Sequence, residues 1–199
     1  MTDSPNDVIE HYKSKIMEYK SERNDNCSVD KVVKYVLKQK SIEDVIRIAV
    51  RSRDEAGKMH PHQWRVQKIA YGIFINALLQ VKEKIAKATD FDQLFSIVTI
   101  EGNKIWGVGE VLIYDTAFRI GKWRNINPQK IYLHAGTRKG VERLMGRKIR
   151  NDYIIKDNLK PPFNTCKLEC WQLEDFFCIY KDIFSNDINK KDSGRKFCK

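Results

Sequence analysis

Hydrophobic positions recur at helical spacing along almost the whole chain. In DVIEHYKSKIMEYK, Val8, Ile9, Tyr12, Ile16 and Tyr19 fall on one face, the period of a helix that turns an apolar stripe toward a core. In SVDKVVKYVLKQ, Val32, Val33, Val36 and Leu37 form a second buried stripe, with Ser28 placed to cap it. Ser41 and Asp44 resemble a capping box ahead of IEDVIRIAVRSRDEA, and Gly57 follows as its stop. A long apolar helix, IAYGIFINALLQVKEKIAKA, comes next, and Asp90 with Gln93 caps FDQLFSIV in the same way.

Beyond these, the pattern predicts a helix over 109–120, a loop around Asn127-Pro128, and a helix through TRKGVERLMG. A short helix near 151–159 follows, then Pro161-Pro162 as a break, and ECWQLEDFFCIYKDIF as a last amphipathic helix. No strand-like alternation is sustained and no repeat is visible. The expected fold is therefore all-α, with nine or ten short helices. Residues 1–8 read as a flexible N-terminus, 9–186 as a single helical unit of two lobes, and 187–199, ending in NKKDSGRKFCK, as a flexible basic tail.

Charge narrows the possible partners. The 199-residue chain carries a formal +11, and the excess is uneven: between Arg119 and Lys160 there are 12 Lys and Arg against Glu142, Asp152 and Asp157. Such a block attracts polyanions in a salt-dependent way; the alternative is a solvated basic face with no partner. No apolar run approaches the ~20 residues of a membrane span, and MTDSPNDVIEHYK lacks the apolar core of a secretory signal. The expectation is a cytoplasmic or otherwise intracellular monomer with no membrane partner. Cys27, Cys166, Cys170, Cys178 and Cys198 form no CxxC pair and meet no zinc or iron–sulfur spacing. They read as reduced thiols, and neither a metal nor a cofactor is expected.

The stretch NKIWGVGEVLIYDTAFRIG, residues 103–121, is the most informative. Gly107 and Gly109 flank Val108, and glycine permits positive φ and close backbone approach. A helix starting at Gly109 or Glu110 presents unpaired amides and a positive dipole end, which suits a phosphate. Val108 would tuck between the helices, with Val111, Leu112, Ile113, Ala117 and Ile120 anchoring the second. This is the sequence shape of a helix-hairpin-helix near 91–120, which holds DNA backbone without reading sequence. A plain turn between packed helices is the other reading.

After that hairpin comes INPQKIYLHAGTRKGVERLMG. Over roughly residues 60–150 the order resembles the helix-hairpin-helix DNA glycosylase superfamily: a GVG hairpin, its helix, a short loop, an apolar–acid–x-His element and a basic helix. The resemblance implies a two-lobed all-α fold that binds double-stranded DNA, extrudes a damaged or modified base and excises it, leaving an abasic site. Two positions depart from it. Aligned on His134, Tyr132 stands where the family carries its catalytic aspartate. Val111 stands at the lysine of bifunctional members, so a monofunctional activity without imine chemistry is implied.

Base excision needs a carboxylate and a pocket for the flipped base. Asp115, in an apolar part of the hairpin helix, is the replacement candidate; otherwise it is a solvent-side acid or the partner of an arginine. His134 is the second catalytic candidate, able to pair with a carboxylate or phosphate, or else fixes a loop. His60, His62, Gln63 and Trp64 in KMHPHQWRV, with Tyr132, have the chemistry to hydrogen-bond and stack a base; an ordered turn with Trp64 in the core is the alternative. His60-x-His62 lacks a third metal ligand. Gly107, Val108, Gly109 and Glu110 are placed for backbone phosphates, helped by Thr137, Arg138 and Lys139. Glu174 and Asp175 read as capping or surface acids, and Phe176, Phe177 and Tyr180 as core. A non-catalytic module docking DNA or a nucleoprotein is the alternative function, and RNA binding by the basic block a third.

Overall fold

Ser41 adopts an extended backbone (φ −116°) and its hydroxyl accepts the Asp44 amide at 3.1 Å, so α3 (Ile42–Arg51) starts where the capping pattern places it. The computed structural model describes residues 4–24, 31–60, 63 and 66–184. Ser28 and the basic tail 187–199 lie outside the described residues. Among those described, helices dominate and a two-stranded sheet is the only other regular element. The chain divides into two compact units: an inner one, Val29–Pro128, and a terminal one built from 1–28 and 129–199.

The inner unit holds α2 (Lys31–Val36), α3, α4 (Lys68–Gln80), α5 (Lys82–Lys87), α6 (Phe91–Gly102) and α7 (Glu110–Trp123). Val32, Val33 and Val36 are buried, but Leu37 lies one residue past α2 and is exposed, so the expected stripe stops short. α3 ends well before Gly57, at Ser52, which turns left-handed (φ 53°) and returns its amide to the Ile48 carbonyl. The expected long helix after it breaks at Val81 into α4 and α5. Lys82 then pairs with Glu43 of α3, a tertiary contact that propensity cannot show. Arg124 donates to the carbonyls of Ile85 (2.7 Å) and Ala88 (2.8 Å), closing the end of α5. Asp90 caps α6 by accepting the Gln93 amide at 2.8 Å. α6 runs on to Gly102, where a Cβ would stand 2.6 Å from Ile113 Cγ1; the missing side chain lets α7 come close.

The terminal unit sets α1 (Pro5–Asn24), α8 (Ala135–Met145) and α9 (Cys170–Ile179) around one core. α1 begins inside the segment expected to be flexible. Ile16 and Tyr19 on its apolar face are buried, and the Tyr19 hydroxyl donates to Asp175 Oδ2 at 3.0 Å, so Asp175 is no surface acid. Phe163 packs against Phe176 and Phe177 with ring centroids 5.4 and 5.0 Å away. Where a short helix was expected near 151–159 there is β2 (Tyr153–Ile154), antiparallel to β1 (Ile131–Tyr132), then a single 3-10 turn at 156–158. Two residues per strand are too few to show alternation; burial of Ile131 against Ile154 holds the ribbon. Gly136 and Gly140, one turn apart on α8, face α9 so closely that a Cβ at Gly140 would lie 2.3 Å from the Phe177 carbonyl oxygen.

Candidate functional site

The α6–α7 turn is closed by the amides of Ile105 and Val108, which donate to the carbonyls of Gly102 and Ile105. Gly107 sits at φ +90°, a conformation that side chains rarely adopt. Val108 reaches the helix ends, since a Cβ on Gly102 would touch its Cγ1 at 3.3 Å. Gly109 caps α7 in an extended conformation (φ −99°, ψ 169°) and makes no side-chain cap bond to the helix. A Cβ at Gly109 would meet nothing within 4 Å, and one at Gly107 only Ala70 Cβ at 3.6 Å. The backbone of this turn is therefore open to a close approach, and Glu110 beside it is exposed.

On the next turn of the same helix lies Asp115. Its Oδ2 accepts from Gln63 Nε2 at 2.9 Å and faces Arg119 Nη2 at 3.5 Å. Arg119 is wholly buried, and its Nη1 donates to the Ala49 carbonyl (3.1 Å) and to Ser52 Oγ (2.7 Å). A buried guanidinium demands such compensation, so the arginine-partner alternative for Asp115 is realised while its side chain stays 17% exposed. Gln63 is itself held, its carbonyl accepting from the Tyr71 hydroxyl at 2.8 Å. Burial pushes the Tyr71 phenol above its ordinary pKa, with Arg53 and Arg119 opposing. His60 joins through its amide, which donates to the Ser52 carbonyl at 2.8 Å. His62 and Trp64 lie outside the described residues.

A second polar cluster occupies the terminal unit. His134, the extended N-cap of α8, brings Nε2 to 3.2 Å from Glu174 Oε1. Thr137 donates to the same oxygen at 2.7 Å and is fully buried, so its hydroxyl faces Glu174 of α9 and not solvent. Glu174 is thus a binding partner inside the fold, correcting its reading as a surface or capping acid. Only tertiary packing reveals it, because the pair spans two helices. Tyr132 is buried in β1 opposite Tyr153.

Much of the arginine content of the basic block is internal stitching. Arg138 donates to the carbonyls of Leu133 (2.8 Å), Ile149 (2.8 Å) and Asn151 (3.0 Å), and to Asp152 Oδ1 at 3.3 Å. Arg143 engages the Lys181 carbonyl and Asp182, while Lys156 engages the carbonyls of Cys166 and Leu168. Arg119 and Arg124 are also committed, whereas Lys139, Arg147, Lys148, Arg150 and Lys160 are exposed, as is Arg143, with Lys148 lying 3.4 Å from Glu142 Oε2. Charge density along a sequence does not equal charge on a surface.

One residue went unassigned from sequence although it lies inside the hairpin: Trp106 is 82% exposed. Its signal was a large aromatic between Ile105 and a glycine. Among the described residues no cluster of three or more His, Cys, Asp or Glu is placed to hold a metal ion. Among the same residues no helix is long and apolar enough to cross a membrane. No protein-family model, curated protein or solved structure matches the chain.

Proposed function

We propose that this protein binds double-stranded DNA by its sugar–phosphate backbone, using the α6–α7 turn as a helix-hairpin-helix. The observation that carries this is the glycine cap of α7, extended, making no side-chain cap bond and with open space where a Cβ would be. A phosphate oxygen placed there completes the bonding of first-turn amides and meets the positive end of the helix dipole. Such contacts position DNA without reading bases. The test is Gly109→Asp. Aspartate suits the extended backbone and is a strong N-cap, so stability should hold or rise. Its carboxylate takes the place of the phosphate, and affinity for a labelled duplex should fall at least about tenfold. Equal binding by the variant, or no salt-sensitive binding by the natural chain, would sink the proposal.

Base excision, as in a monofunctional DNA N-glycosylase, is the second reading, favoured by Asp115. Glycosyl cleavage builds positive charge on the sugar, and a carboxylate fixed beforehand stabilises it. Gln63 and Arg119 fix this one, about 9 Å along α7 from the cap. The protein would be incubated with plain, deaminated, alkylated, oxidised and hypermodified DNAs, and released bases and abasic sites counted. Release that Asp115→Asn abolishes, with binding kept, supports excision; no release from any DNA leaves a non-catalytic module.

A further inference from the structure

Trp106 contradicts the usual economy of a folded chain. A tryptophan side chain carries a large apolar surface that folding normally removes from water, yet this one is 82% exposed. It is not on a loose end. Its neighbour Ile105 is buried, Gly107 is fixed at φ +90°, and the Val108 amide closes the turn onto the Ile105 carbonyl. The ring is therefore projected from a set backbone. Gly107 lies against Ala70 of α4, and on that helix Ile69 and Ile73 are 70% and 49% exposed. An apolar ledge thus adjoins the open glycine cap of α7.

We infer that Trp106 stacks an unpaired nucleobase, so that DNA carrying a bulged or single-stranded nucleotide is the substrate class of this hairpin. The inference rests on the backbone-binding role proposed for the α6–α7 turn. The adjoining glycine cap decides the occupant. Exposed Lys68 borders the ledge, Lys104 beside it is paired with Glu101 at 2.8 Å, and the chain carries a net charge of +11; a polyanion with flat apolar faces reaches the cap and the ledge together. A protein partner is matched instead by an aromatic set within a closed ring of apolar neighbours that keeps it dry; here Ile69 and Ile73 lie toward α4, and the other side is the open glycine turn. Every base has a π-face, so stacking on an indole selects for availability of a base and not for its identity. In an intact duplex those faces are occupied by neighbouring bases.

The test uses the full chain and three labelled DNAs: a matched duplex, the same duplex with one bulged nucleotide, and its single strand. The bulged duplex should bind about tenfold tighter than the matched one. Trp106→Ala should erase that preference while the melting temperature holds; Trp106→Phe should restore most of it. Equal binding of bulged and matched DNA, or a preference that survives Trp106→Ala, overturns the stacking role alone and leaves the hairpin proposal standing. Concentration-dependent dimerisation abolished by Trp106→Ala also overturns it, because a second copy would then cover the ledge. Failure to bind any DNA overturns the backbone-binding proposal and this one together.

Discussion

The side-chain amide of Gln63 donates to Asp115 Oδ2 at 2.9 Å, joining residues 52 positions apart. The two enter the sequence argument with separate roles, one as a base-reading amide and the other as a replacement carboxylate. In the fold they belong to one chain of bonds that runs from the Tyr71 hydroxyl through Gln63 and Asp115 to Arg119 and Ser52. That chain is first a structural device, because Arg119 is a charge with no access to water. Any chemistry at Asp115 is performed by a group whose position the core already dictates.

Arg119→Ala should therefore be among the most damaging single changes in the inner unit. It strips a donor from Ser52 and Ala49 and leaves Asp115 without its charge partner. Breaking a buried pair from one side costs about 3–5 kcal/mol. Asp115→Asn keeps an acceptor for Gln63 and should cost about 1–3 kcal/mol. Urea denaturation of both variants checks the order; a larger loss in Asp115→Asn would mean that the carboxylate, and not the guanidinium, holds the network.

The two glycines of α8 separate by what a methyl group would meet. At Gly140 it strikes backbone, 2.3 Å from the Phe177 carbonyl oxygen, which cannot move without shifting α9. Overpacking of this kind costs about 1–3 kcal/mol, partly offset by about 1 kcal/mol of helix propensity. At Gly136 it meets the Cys178 Sγ at 2.6 Å, a side-chain end that is able to turn away. Thermal melts should show Gly140→Ala clearly destabilised and Gly136→Ala near neutral.

Legibility followed the range of the interaction. Caps are local, so Ser41 and Asp90 were readable and α3 and α6 start where expected. The mostly helical class was readable too, from long runs of periodic positions. The break at Val81, the β1–β2 ribbon and the left-handed stop at Ser52 depend on partners far away in sequence or on a single residue's backbone. For the candidate site, the Asp115–Arg119 pair has helical i,i+4 spacing and was foreseeable as an alternative. A carboxylate partner for His134 was foreseeable too, but not that it is Glu174 shared with Thr137, since that cluster exists only where α8 crosses α9. The basic block misled for the same reason: nothing in a run of arginines says which carbonyls they will meet.

Arg138 and Lys139 are adjacent in the chain and both candidates for phosphate contact, yet their variants should differ in kind. Arg138→Ala orphans three carbonyls that the guanidinium now holds together, a loss of about 2–3 kcal/mol in stability. Lys139 is exposed, so Lys139→Ala should leave the melting temperature unchanged. If its ammonium sits near the DNA, the log–log salt dependence of binding should also flatten by about one unit. Melting curves and a salt titration of both variants read the two effects separately.

Acid should release one specific clasp at the end of α8. Glu142 Oε1 accepts the Ile149 amide at 3.1 Å while Oε2 lies 3.4 Å from Lys148 Nζ. The amide bond, helped by Lys148 and Arg138, holds the Glu142 carboxyl below the ordinary glutamate range. A group whose folded pKa is depressed favours folding at every pH above its unfolded value, about 4.3 for glutamate. That contribution disappears as pH falls through the lower folded value, because both states then carry the proton. Glu142→Gln imitates the protonated form at all pH. The variant should therefore be less stable than the natural chain at neutral pH, and the gap should narrow as pH falls below the unfolded value of about 4.3 and close once pH has passed the depressed folded value. Chemical denaturation at a series of pH values measures the gap directly. A gap that stays constant through the whole acid range would show that the charge of Glu142 is not what secures the loop to α8.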